Sequence, residues 1–168
     1  GSVDKILATP GGLLAFAGAN GTFYRYKVGF GWVEEYYGTT YQPGFGIDDA
    51  ALVGNILYVS RSNRILRSDN FGYNWTLDQI GLRNGHARTL SVGNDDLYAL
   101  TTIFTGDDNL TWLSKRNKNA PSQTSWAPDT ETLDFFSYEL VQLDDKFFIA
   151  SNQGIYLKDN SLGTNLPM

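Results

Sequence analysis

The chain has 168 residues, 42% of them hydrophobic, 14% aromatic and only 18% charged, with 18 glycines; this excludes a disordered polymer and leaves one domain with a substantial core. A formal net charge of -5 excludes the basic face expected of a nucleic-acid binder and disfavours anionic membrane surfaces. With no cysteine at all, disulfides, thiol catalysis and cysteine-based metal sites are excluded too.

In chain order, Gly1-Ser2 reads as the scar of a cleaved tag. The first unit opens with an apolar run at residues 5–8, followed by Leu13-Leu14-Ala15-Phe16, a polar turn at Asn20-Gly21, Phe23-Tyr24, Gly29 and Trp32. The second repeats this order with residues 50–53, Ile56-Leu57-Tyr58-Val59, Ser62-Asn63, Ile65-Leu66, Gly72 and Trp75. The third supplies residues 89–92, Leu97-Tyr98-Ala99-Leu100, Leu110-Thr111-Trp112-Leu113 and Trp126, with an extra polar stretch at 116–124. The fourth supplies residues 140–143, Phe147-Phe148-Ile149-Ala150, Gln153-Gly154, Ile155-Tyr156, Gly163 and Leu166. Trp32 and Trp75 lie 43 apart, Trp75 and Trp126 51 apart, and Leu166 follows after 40. Allowing for the insertion, the period is just over 40 residues, that of four short strands per unit.

No stretch carries a helical period over three turns, and no apolar run nears the roughly 20 residues that span a bilayer. The expected fold is all-β: a single β-propeller domain over 1–168 of about four four-stranded blades, approximately 3–40, 47–80, 86–129 and 133–168. It either closes alone or is completed by another chain. Radial stacking covers both faces of each blade, which an isolated meander leaves bare.

The second unit contains Ser68-Asp69-Asn70-Phe71-Gly72-Tyr73-Asn74-Trp75. This resembles the Asp box, Ser-x-Asp-x-Gly-x-Thr-Trp, of the BNR or sialidase-like repeat superfamily, with Asn70 in place of Asp and Asn74 in place of Thr. Ser68 and Asn70 are expected to bind nearby amides, Gly72 to take a positive φ, and Trp75 to pack the hairpin on its sheet. The other copies are worn: Arg25 and Lys27 stand at the two polar positions of unit one, and Ser161 precedes Gly163 in unit four. The resemblance implies a fold more than an activity, since such repeats serve glycosidases, sorting receptors and assembly factors alike.

The resemblance also places the box away from the ligand face. That face then comprises the turns between second and third strands and the connections between units. Its first connection holds Tyr36, Tyr37 and Tyr41, whose rings suit a sugar or an anchored peptide; packing between blades is the plainer use for them. Tyr36, Tyr37, Tyr41 and Arg61 are the expected contact residues. Asp107-Asp108-Asn109 offers half a calcium shell but is also ordinary turn chemistry, and no metal or other cofactor is expected. Asp48-Asp49, Asp95-Asp96 and Asp144-Asp145 read as repeat punctuation, His86 as a solvated loop residue, and Lys115-Arg116-Asn117-Lys118 as a solvated loop.

No Ser-His-Asp set, metal-spaced His pair or phosphate loop is present. A sialidase-like site requires an Arg cluster, a Tyr–Glu pair and an Asp, usually on six blades. Here Glu occurs only at 34, 35, 131 and 139. The expectation is therefore a non-catalytic binding module presenting rim loops to a glycan or protein ligand, secreted, periplasmic or at the cell surface, with no nucleic-acid partner and no membrane insertion. The alternatives are a sialidase-like or other glycoside hydrolase, and a structural part of a larger propeller, including a homodimer that completes eight blades.

Overall fold

The computed structural model describes residues 3–17, 22–37, 46–105, 108–129, 133–144, 146–159 and 164–167. It is all-β, with four antiparallel sheets built from consecutive strands. Sheet 1 holds β1 (Val3–Thr9), β2 (Gly12–Ala17), β3 (Thr22–Lys27) and β4 (Gly31–Tyr36). Sheet 2 holds β5 (Asp49–Val53), β6 (Ile56–Arg61), β7 (Arg64–Ser68) and β8 (Thr76–Leu77). Sheet 3 holds β9 (His86–Val92), β10 (Asp96–Thr105), β11 (Asp108–Asn117), β12 (Ala127–Pro128) and β13 (Leu133–Asp134). Sheet 4 holds β14 (Ser137–Leu143), β15 (Lys146–Ser151), β16 (Gly154–Asp159) and β17 (Thr164–Pro167).

The expected boundary at 133 is shifted. Leu133 and Asp134 pair with Thr111 and Leu110 of sheet 3, while Ala127 and Pro128 pair with Lys115 and Ser114. The long β11 is thus flanked by two short segments in place of one outer strand. Pro128 cannot donate a ladder bond, which fits an edge that breaks at this point.

In the two inner sheets one face meets the sheet before and the other the sheet after, because successive side chains alternate. Leu14, Phe16 and Phe23 of sheet 1 pack on Ala50, Leu57, Val59 and Leu66 of sheet 2. The other face of sheet 2, Ala51, Val53, Tyr58 and Ile65, packs on Ala87, Leu90, Leu97, Ala99 and Trp126 of sheet 3. Tyr98, Leu100 and Leu113 of sheet 3 pack with Leu133 and Phe135 on Leu140, Phe147 and Ile149 of sheet 4.

Polar side chains tie the same joints. Asp49, almost fully buried, takes Lys5 Nζ at 2.7 Å from sheet 1 and the Leu90 amide at 2.9 Å from sheet 3. Arg25 of sheet 1 donates to Phe71 O in the β7–β8 turn at 2.6 Å, and Arg67 of sheet 2 donates to Ala120 O in the sheet 3 insertion at 3.0 Å. Register explains the parallel: Arg25 lies opposite Leu14 and Arg67 opposite Tyr58, each two residues past the residue that closes the first hairpin of its sheet. Arg25 is therefore the counterpart of Arg67, not of Ser68 as the spacing from Trp suggests. The stretch from Arg25 to its partner Val33 is one residue shorter than that from Arg67 to its partner Thr76, which moves the alignment by one.

The basic tetrad is not simply solvated. Arg116 is fully buried and contacts Asp78 of the sheet 2 edge at 2.6 Å, and it donates to Pro121 O at 2.7 Å. Gln123 N and Trp126 Nε1 reach Asp78 as well, at 3.1 and 2.9 Å. The insertion thus folds back on sheet 2 around one buried carboxylate.

Candidate functional site

A bulge recurs near the start of the first strands. In β1 the pairing shifts between Val3 and Lys5, in β9 between Ala87 and Thr89, and in β14 between Ser137 and Glu139. In sheet 2, Asp48 N and the paired residue Asp49 both meet Ser60. The residues left over are Asp4, Asp48, Arg88 and Tyr138. Each stands two positions before the apolar residue Ile6, Ala50, Leu90 or Leu140. A bulged residue leaves the ladder and its side chain is re-aimed, which is why bulges gather at rims and sites.

Three of these four residues line one hollow of about 370 Å³, together with Ile47, Ser62 and His86. It opens on the rim formed by the β6–β7 turn and the connections into β5 and β9. Ser62 holds a left-handed φ of 52° at that turn, and its N–H donates to Asp48 Oδ2 at 2.6 Å. Its carbonyl accepts from Ala87 N at 2.6 Å, which fixes the turn to the start of β9.

Burial pushes the Asp48 carboxyl upward from its ordinary value, and neighbouring Asp49 adds to this; the Ser62 amide, Arg88 and His86 only partly oppose it. Arg88 lies over the Phe136 ring at 4.7 Å and the Phe104 ring at 5.7 Å, and its Nε is buried without a hydrogen-bond acceptor among the described residues. His86 meets Phe104 edge-on at 5.7 Å, and Phe136 meets Tyr138 at 5.0 Å. The hollow is therefore a set of acceptors and donors beside a bank of aromatic rings.

Of the expected contact residues, Tyr36 ends β4 on this rim, paired with Thr22, with an exposed ring. Tyr37 is buried between sheets 1 and 2, with ring centroids 5.2 Å from Phe23 and 5.1 Å from Trp75. Its hydroxyl has no hydrogen-bond partner among the described residues, and burial pushes its pKa well up. Arg61 ends β6 and is nearly buried. Tyr41 lies outside the described residues, as do Asp107, Asp145, Ser161, Gly163 and most of the first connection. Among the described residues no group of three or more His, Asp or Glu is placed to hold a metal.

On the opposite rim, Ser68 Oγ accepts from Gly72 N at 2.7 Å and donates to Asn70 Oδ1 at 2.9 Å, and Asn70 Oδ1 accepts from Asn74 N at 2.8 Å. Gly72 has a φ of 95°, and a Cβ there would approach Phe23 to 3.1 Å. Trp75 packs across the joint onto Phe23 and Tyr37, not only onto its own hairpin.

Asp4, Asp48, His86 and Arg88 were not among the expected contact residues. The signal was present as a polar or aromatic residue two before the first apolar position in all four units, but a bulge shows only once pairing is known. No family model matches the chain, and no curated protein sequence matches it.

Proposed function

We propose that the four sheets are successive blades of a β-propeller repeat and that the protein is a non-catalytic binding module for a glycan. The observation that carries this reading is the recurrent bulge, which brings Asp4, Asp48 and Arg88 from three sheets into one hollow. Asp48 accepts from sugar hydroxyls while Arg88 and His86 donate to ring and hydroxyl oxygens. The Phe104, Phe136 and Tyr138 rings offer apolar faces to the C–H side of a pyranose. Tyr36 extends the surface along the rim.

The test is binding to a panel of immobilised neutral and carboxylated oligosaccharides. Binding that falls at least tenfold, about 1.4 kcal/mol, in both Asp48→Ala and Arg88→Ala supports the site. Binding unchanged in both variants, or no binding to any member of the panel, overturns it.

A hydrolase reading draws on the same hollow, because it holds two carboxylates, Asp4 and Asp48, one of them pushed upward as a general acid requires. Release of phenol from aryl glycosides by the wild type, and none from Asp48→Asn, would replace the binding module with this reading.

A further inference from the structure

The two end sheets carry the same kind of interface residues as the inner sheets, but among the described residues no sheet packs against their outer faces. Consider first the face each sheet turns to its predecessor. Ala50, Leu90 and Leu140 occupy one repeat position and are 3%, 6% and 3% exposed, whereas Ile6, their counterpart in sheet 1, is 57% exposed. Leu57, Leu97 and Phe147 are buried at the next position, and Leu13 is exposed. The tryptophans follow the same rule. Trp75 is inserted against sheet 1 and Trp126 against sheet 2, but Trp32, on the corresponding face of sheet 1, is 46% exposed. It borders an apolar hollow of about 410 Å³ with Val3, Ile6, Ala15 and Tyr24.

The face turned to a successor shows the complementary deficit. Phe23 meets Trp75 at 6.0 Å, and Ile65 lies in the cluster that holds Trp126. The residue in that register in sheet 4 is Ile155, which is 51% exposed and has no tryptophan to meet. Val141 and Leu143 beside it are exposed as well. Among the described residues, no extended packing joins sheet 4 to sheet 1 of the same chain.

We infer that the sheet 4 face of one copy seats on the sheet 1 face of a second copy, and that two copies close reciprocally into a ring of eight sheets. Ile155 then enters the hollow beside Trp32, as Phe23 does at Trp75 and Ile65 at Trp126. The occupant is a second copy because the missing half of each face is carried, unused, by the other end of the same chain. The contact is head-to-tail, so a variant damaged at one end keeps a sound other end.

Light scattering on a size-exclusion column tests this with the whole chain. Wild type is expected at twice 18.7 kDa, and Trp32→Arg and Ile155→Arg each at the monomer mass with circular dichroism unchanged. An equimolar mixture of the two variants is expected to recover a dimer through its one undamaged joint. A monomeric wild type, an assembly larger than two copies, or variants that stay dimeric would overturn the proposal. Trp32→Cys combined with Ile155→Cys gives a readout independent of those variants, because the chain has no other cysteine. Oxidation should yield a covalent dimer, and a disulfide confined to single chains would overturn the two-copy ring in favour of closure within one.

Discussion

Gly72 shows how much one position can decide. Its φ of 95° is costly for any side chain, and an added Cβ would also press on Phe23 of the neighbouring sheet. Gly72→Ala is expected to cost roughly 1–3 kcal/mol in urea unfolding. Asp48 acts in the opposite sense. Its folded-state pKa lies above the ordinary 3.8, so the stability tied to its neutral form is present below that value and lost as pH rises through the folded one. Asp48→Asn keeps an acceptor for the Ser62 amide and should raise Tm at neutral pH, with no gain below pH 3.8. Glu35 has the third behaviour. Burial works to raise its pKa, but bidentate Arg25, at 3.0 and 2.9 Å, and Lys27 at 3.3 Å hold it below 4.5. Its stabilisation is present above pH 4.5 and lost as pH falls through the folded value. Glu35→Ala leaves the buried Arg25 guanidinium without its carboxylate and should cost about 3–5 kcal/mol at neutral pH, a difference that shrinks in acid.

At the scale of strands and sheets, the hairpins were legible because turn residues and apolar runs alternate in the sequence. Ser62-Asn63 and Gln153-Gly154 sit where the β6–β7 and β15–β16 turns are found. The joints between sheets were legible only for their apolar part. Trp126 marks its joint by type, and Trp126→Ala should cost about 3–5 kcal/mol because it also orphans the Asp78 carbonyl. Arg116 reads from sequence as a solvated loop residue, since burial of a charge depends on a partner far along the chain. The pair Arg116–Asp78 spans 38 positions. The bulges were invisible for a similar reason: one residue too many in a strand shows only against the strand it pairs with. The candidate site inherits that blindness, whereas Tyr36 was singled out only because an aromatic loop announces itself by composition.

For the whole molecule, the decisive feature is that every sheet consists of strands from one stretch of sequence and, among the described residues, packs on the sheets before and after it. Such an array is close to a one-dimensional chain of units, whose stability is a sum of unit and nearest-neighbour contributions. An inner unit is held by two joints and an end unit by one, so opening should spread inward from the ends, as fraying does in a helix. In a single copy, amide hydrogen exchange should then be slowest in β6 and β10, and faster in β2 and β15. Closing the array into a ring removes its ends, and with them that gradient; a uniform exchange profile at high protein concentration that becomes graded on dilution would record the ring opening into a line.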